Sequence, residues 1–237
     1  MSDTTTAPAF YTTARGAVAA RLLRERLRAL WPSLARQSVL GIGFACPYLR
    51  LWRDDAYRCI AVTPVQIGAW RWPRSRPCLT CTAEEDALPF PDLSFDRVLV
   101  VHGLETSENA RRMLREAWRV LKDDGRLLLV APNRTGLWAH LETTPFGHGQ
   151  PYSAGQIERL LSATLFRVER RDTALYVPPL PWRLVLRMAP MAERIGRRVM
   201  PSFAGLTLTE AVKDVYAGVP TATATVKRRV VLVDTAG

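Results

Sequence analysis

Long apolar runs are missing from this sequence. No stretch reaches the roughly 18 consecutive apolar residues that a membrane-spanning helix needs, and no charged start followed by an apolar core marks a leader. Both absences point to the cytoplasm. Carboxylates are scarce: 22 Asp and Glu face 33 Lys and Arg, a formal charge of +11. That balance permits an anionic partner such as nucleic acid or a membrane surface. The arginines are spread along the whole chain, however, whereas a nucleic-acid footprint gathers them on one element, so nucleic acid is not the expected partner. Cysteine is limited to Cys46, Cys59, Cys78 and Cys81. The spacing of Cys78 and Cys81 suits half a metal knuckle, but no second pair follows and a structural zinc site needs four ligands. No metal is expected, and the thiols read as small buried side chains. Histidine is rarer still, only His102, His140 and His148, so each stands out as a candidate for proton transfer.

What the sequence does have is apolar residues, 48% of 237, enough to bury one large α/β domain or a domain with an insertion. From Phe10 to Trp31, apolar residues recur at helical spacing between arginines, and Pro32 stops the pattern. Residues 1–34 are therefore expected to be an amphipathic helix packed on a domain that spans 35–237. Strands are predicted at 38–42, 58–63, 78–82, 96–101 and 126–131, with a last one from Thr225 to Val233. The runs "VLVV" and "LLLVA" are apolar at successive positions, which marks a parallel sheet covered on both faces. Helices are predicted from Glu108 to Lys122, closed by Gly125 in the left-handed conformation, and after Ser153, which has Gln156 at capping-box spacing. Residues 177–205 carry five prolines and break the rhythm, as a lid-like insertion or a contact surface would.

The stretch "DALPFPDLSFDRVLVVHGLE", followed by "MLREAWRVLKDDGRLLLVAPN", resembles class I S-adenosylmethionine-dependent methyltransferases of the type 11 group, in a divergent bacterial form. Leu88, Pro89, Phe90, Pro91, Asp92, Phe95 and Asp96 match the turn into the fourth strand. Arg119, Val120, Leu121, Lys122 and Gly125 match the helix end before the fifth. The resemblance covers roughly residues 35–172. It implies a Rossmann-like seven-stranded, mostly parallel sheet with an antiparallel last strand, and S-adenosylmethionine as cofactor.

Within that resemblance, the first turn "SVLGIGFACPYL" brings Gly41, Gly43 and Phe44 to the cofactor, the glycines because a Cβ would collide there. Cys46 and Pro47 depart from the family pattern, and no carboxylate precedes Gly41. At the end of the second strand, Thr63 stands where the family has an acidic residue for the ribose; Thr63 or Gln66 can offer one hydrogen bond instead. Glu84 and Glu85 follow the third strand, where the family reads the adenine amino group. His102 and Glu105 after the fourth strand, and His148 in "TPFGHGQPYS", are the candidates for proton transfer, His102 and His148 foremost. The implied acceptor is a small or lipid-like molecule, with membrane or partner-protein contact through 177–205. The two missing carboxylates leave an alternative: a degenerate relative that keeps the fold as a non-catalytic binding or regulatory subunit.

Overall fold

The computed structural model describes residues 6–68, 70–75, 77–176, 183–199 and 203–214. Seven strands form one sheet: β1 (Ser38–Gly43), β2 (Arg58–Thr63), β3 (Thr80–Thr82), β4 (Phe95–Val101), β5 (Leu121–Pro132), β6 (Phe166–Ala174) and β7 (Leu206–Lys213). Their order is β3-β2-β1-β4-β5-β7-β6. Strands β1 to β5 pair in parallel, and β7 runs antiparallel between β5 and β6. Side chains alternate across it, with Leu99, Val101, Leu128 and Val130 on one face and Val98, Val100, Leu127 and Leu129 on the other. Because both sets are buried, the central strands read as continuous apolar runs, as the sequence led us to expect.

One face is covered by α2 (Ala14–Leu30), the short α3 (Cys46–Leu49) and α6 (Arg183–Val199), the other by α4 (Ala110–Val120) and α5 (Ala154–Ser162). A single turn, α1 (Ala7–Phe10), precedes α2, whose first amides are capped by the Thr13 hydroxyl. At the start of α5, Ser153 and Gln156 form the reciprocal capping box.

Two expectations need correction. Gly125 does not close α4: the helix ends at Val120, and Leu121 is already extended and paired with Phe95 as the first residue of β5. The chain leaves the helix by entering a strand, so no left-handed residue is required. The expected last strand, Thr225 to Val233, lies outside the described residues, and the antiparallel strand that the sheet contains is β7. Its sequence "LTLTEAVK" hides Glu210 and Lys213, which look like surface residues but are buried. Glu210 accepts hydrogen bonds from Trp31 Nε1 (2.7 Å) and Arg170. A buried charge held in this way disguises a strand.

At the amino-terminal end of the sheet, side chains tie the elements together. Asp96 accepts the Ser38 amide (2.7 Å) and the Lys122 ammonium (2.8 Å), joining β4 to β1 and to the end of α4. Arg119 donates to the Leu88 and Phe90 carbonyls, to Glu116 and to Asp92, while Glu116 also accepts the Leu88 amide.

Candidate functional site

At the opposite end, where the parallel strands terminate, β1 and β4 are neighbours whose connections leave in opposite directions. Crevices at such switch points are where open α/β sheets bind ligands. A cavity of about 220 Å³ lies there. Pro64, Gln66 and Ile67 line it after β2, Glu85 after β3, His102 and Thr106 after β4, and Pro145 and His148 in a later loop; Thr6, Ala7 and Pro8 close it.

His102 is buried and carries the most elaborate contacts. Its backbone sits in the left-handed region (φ 53°) immediately after β4. Nδ1 lies 3.1 Å from Glu105 Oε1 and Nε2 lies 2.8 Å from the Tyr11 hydroxyl, which is 2.6 Å from the Tyr48 hydroxyl. With the carboxylate as acceptor, Nδ1 carries the proton and Nε2 accepts from Tyr11. Burial pushes the Tyr11 and Tyr48 phenols above their usual range, so both stay protonated. Glu105 is buried as well, and its Oε2 has no hydrogen-bond partner among the described residues. Phe146 packs against the His102 ring at 4.3 Å.

The first turn is occupied by the protein itself. The Tyr11 ring stacks on Phe44 (5.8 Å, 19° between planes). The Phe44 amide donates to the Val101 carbonyl (2.8 Å). A Cβ on Gly43, whose φ is +84°, would lie 2.3 Å from the same carbonyl oxygen, and one on Gly41 would meet Ala45 and Leu49 at 2.7 Å. Close packing within the protein therefore suffices to require both glycines.

Of the residues singled out in the sequence, the cavity brings together His102, His148, Glu85 and Gln66. Burial raises the Glu85 carboxyl above its usual range, and its oxygen accepts from the Ser107 hydroxyl. His148 Nε2 pairs with the Glu142 carbonyl at 2.8 Å. Phe44 is stacked on the Tyr11 ring, and neither it nor Gly41 nor Gly43 lines the cavity. Thr63 is fully buried, its hydroxyl directed to the Cys81 carbonyl (3.4 Å), and Glu84 is exposed; neither lines the cavity. Cys46 and Cys59 are buried thiols, pushed up to about 12 by loss of solvent, whereas Cys78 is exposed and Cys81 half-buried, against the expectation of buried thiols. Sequence reasoning missed Tyr11 and Tyr48. Tyr11 lies within the helical pattern of the sequence but sits in the turn between α1 and α2, and only the fold carries it across to β4.

Residues 40–129 match the sequence profile of a methyltransferase domain family. Over those residues the chain is similar to that domain. Its strand order is that of the class I methyltransferase fold. An uncharacterized protein of Mycobacterium tuberculosis (strain H37Rv) is 33% identical over 113 residues, 45% of this chain and 40% of the relative. The chain thus spans about two fifths of that relative's length. The ubiquinone/menaquinone biosynthesis C-methyltransferase UbiE of Bordetella avium is 47% identical over 58 residues, 24% of this chain and 22% of that protein. An S-adenosylmethionine-dependent methyltransferase structure from Thermotoga maritima superposes with a TM-score of 0.59 at 16% identity, covering 86% of this chain and 93% of the other. At that identity the likeness concerns the fold, on which many chemistries are hosted. No helix among the described residues is long and apolar enough to cross a membrane.

Proposed function

We propose that the methyltransferase domain transfers a methyl group from S-adenosylmethionine to a small or lipid-like acceptor in a bacterial cytoplasm. The observation that carries this reading is the buried His102–Glu105 pair in the wall of a cavity at the switch point of the sheet. The lining suits part of the cofactor. Pro64 and Ile67 offer apolar surface, and Gln66 and Glu85 offer polar groups. At about 220 Å³ the space falls below the roughly 300–1,000 Å³ of ordinary small-molecule sites. Full occupancy therefore requires the Thr6–Pro8 wall and the Tyr11 ring to shift, bringing Gly41, Gly43 and Phe44 into contact and setting Thr63 and Glu84 at the edge.

Bound there, the sulfonium supplies an already activated methyl group. The chain's own contribution is alignment of the acceptor and exclusion of water. An acceptor hydroxyl in the place of the Tyr11 hydroxyl would give its proton to His102 Nε2, while Glu105 holds Nδ1–H and stabilises the resulting imidazolium. His148 faces the same cavity from the loop after β5 and is the second candidate to touch the acceptor. The short match to a quinone-pathway methyltransferase supports a lipid-like acceptor, and contact through 177–205 with a membrane or a partner protein belongs to the same reading.

Calorimetric titration with S-adenosylmethionine and its demethylated product tests the proposal, with micromolar binding of both expected. A second reading is favoured by one observation: the Phe44 amide is engaged with Val101 and Tyr11 covers the turn. The domain would then be a non-catalytic binding or regulatory subunit. Absence of binding at millimolar cofactor, in the wild type and in Tyr11→Ala alike, would establish that reading over the first.

A further inference from the structure

α6 is built inside out for a surface helix. Over Ala189 and Met191–Val199, the part of α6 whose side chains are described, the inner side is polar or small. Glu193 is buried and accepts the Leu175 and Tyr176 amides at 2.9 Å each, Ala189 is buried, and a Cβ on Gly196 would meet the Tyr176 Cβ at 2.6 Å. These contacts fix which side faces the sheet. The outer side then carries Met191 (58% exposed), Ile195 (51%) and Val199 (68%), four residues apart, followed by Phe203 (58%). Ordinary amphipathic helices turn polar residues outward. A contiguous exposed apolar stripe marks a contact surface.

We propose that this stripe docks on an anionic lipid bilayer, with the helix lying in the interface plane. Charge selects the occupant. Arg194, Arg197 and Arg198 are exposed beside the stripe, and none pairs with a carboxylate among the described residues. An apolar stripe flanked by arginine is the pattern of helices that rest in the headgroup layer. On the same helical layer, a groove along α2 gathers Arg21, Arg24, Arg28 and Arg50 with Glu25 as its one carboxylate. A second copy of this chain fits less well, because a two-fold interface would set the same arginine-flanked patch of each copy against the other, positive against positive. The stripe also runs toward the cavity end of the sheet. Phe203 leads into β7, whose first residue, Leu206, pairs with Pro132 at the end of β5. This inference deepens the contact reading for 177–205 and stands whether or not the domain transfers methyl groups.

Vesicle flotation of the full chain tests it, with phosphatidylcholine vesicles alone or mixed with phosphatidylglycerol. Binding is expected to the mixed vesicles only, and to vanish at about 1 M salt, where the screening length is about 3 Å. Arg194→Ala/Arg198→Ala should weaken it by about five-fold per charge. Ile195→Ser should weaken it about ten-fold or more through lost apolar burial. Both variants alter exposed side chains, and an unchanged thermal unfolding midpoint confirms that each is folded. No flotation by the wild type, equal binding to neutral vesicles, or binding untouched by both variants would overturn the proposal. A wild-type dimer that Ile195→Ser dissociates, without vesicle binding, would assign the stripe to a second copy instead. Flotation without methyl transfer would leave this inference standing and sink the catalytic reading; methyl transfer without flotation would do the reverse.

Discussion

The two ends of the parallel strands are held in opposite ways. At the amino-terminal end, charged side chains bridge element to element: Asp96 joins Ser38 and Lys122, and Arg119 gathers Asp92, Glu116 and two carbonyls. At the carboxyl end the backbone itself approaches closely, Gly43 against Val101, and aromatic rings surround a histidine and a carboxylate. The residues that announce the family in the sequence, Leu88 to Asp96 and Arg119 to Lys122, belong almost wholly to the first end. They are recognisable because they build the sheet. The residues able to do chemistry are scattered over 6–8, 64–67, 85, 102–106 and 145–148, and converge only in the fold.

Breaking the close approach at the carboxyl end should have the largest effect. The Gly43→Val side chain has no room beside the Val101 carbonyl and cannot comfortably adopt φ +84°. Strain and overpacking together should cost about 3 kcal/mol or more. The expected result is little folded protein, read from soluble yield and thermal unfolding. A well-folded variant that has lost only cofactor binding would mean the glycine serves the ligand rather than the sheet.

Next comes the His102 pair. His102→Gln keeps the size of the buried side chain roughly constant and removes the proton acceptor, so turnover should fall about 10²–10⁴-fold. Cofactor affinity by calorimetry should be unchanged. Glu105→Gln keeps an oxygen for Nδ1–H and should cost less. If turnover survives His102→Gln and falls instead with His148→Gln, the loop histidine is the base and the buried pair is structural.

The amino-terminal end should respond in stability and not in binding. Arg119→Ala removes one donor each from Glu116, Asp92 and the Leu88 and Phe90 carbonyls at a site that is partly exposed, so the cost should be about 1–3 kcal/mol. Denaturant unfolding measures it, and cofactor affinity of the folded variant should match the wild type. Weakened binding would show that the two ends are coupled.

This division explains what could be read from the sequence. Period and turn chemistry gave the five parallel strands, most plainly the central ones, whose burial on both faces leaves an apolar run such as "VLVV". They failed at β7, where Glu210 and Lys213 are buried by partners up to 179 residues away in the chain. At the site, His102, His148, Glu85 and Gln66 could be named because histidines are few and the family resemblance places Gln66 and Glu85 after strands. Tyr11 could not, since its contact with His102 spans 91 residues and no local pattern encodes it.

The smallest effect should separate the ends by pH. The Arg119 hydrogen bond holds the Glu116 carboxyl below its usual range, outweighing the opposite pull of partial burial. A carboxyl whose pKa is lower folded than unfolded binds fewer protons in the native state. Its stabilisation is therefore complete above the unfolded value of about 4.3 and is lost as pH falls through the folded value. Glu116→Gln cannot titrate, so it should be less stable than the wild type at neutral pH and lose less on acidification below about pH 4. Urea unfolding at neutral and acid pH provides the comparison. Parallel losses in the two proteins would mean that the acid sensitivity of the fold resides in other carboxylates, with Asp96, also held below its usual range at the same end of the sheet, the first to replace by asparagine.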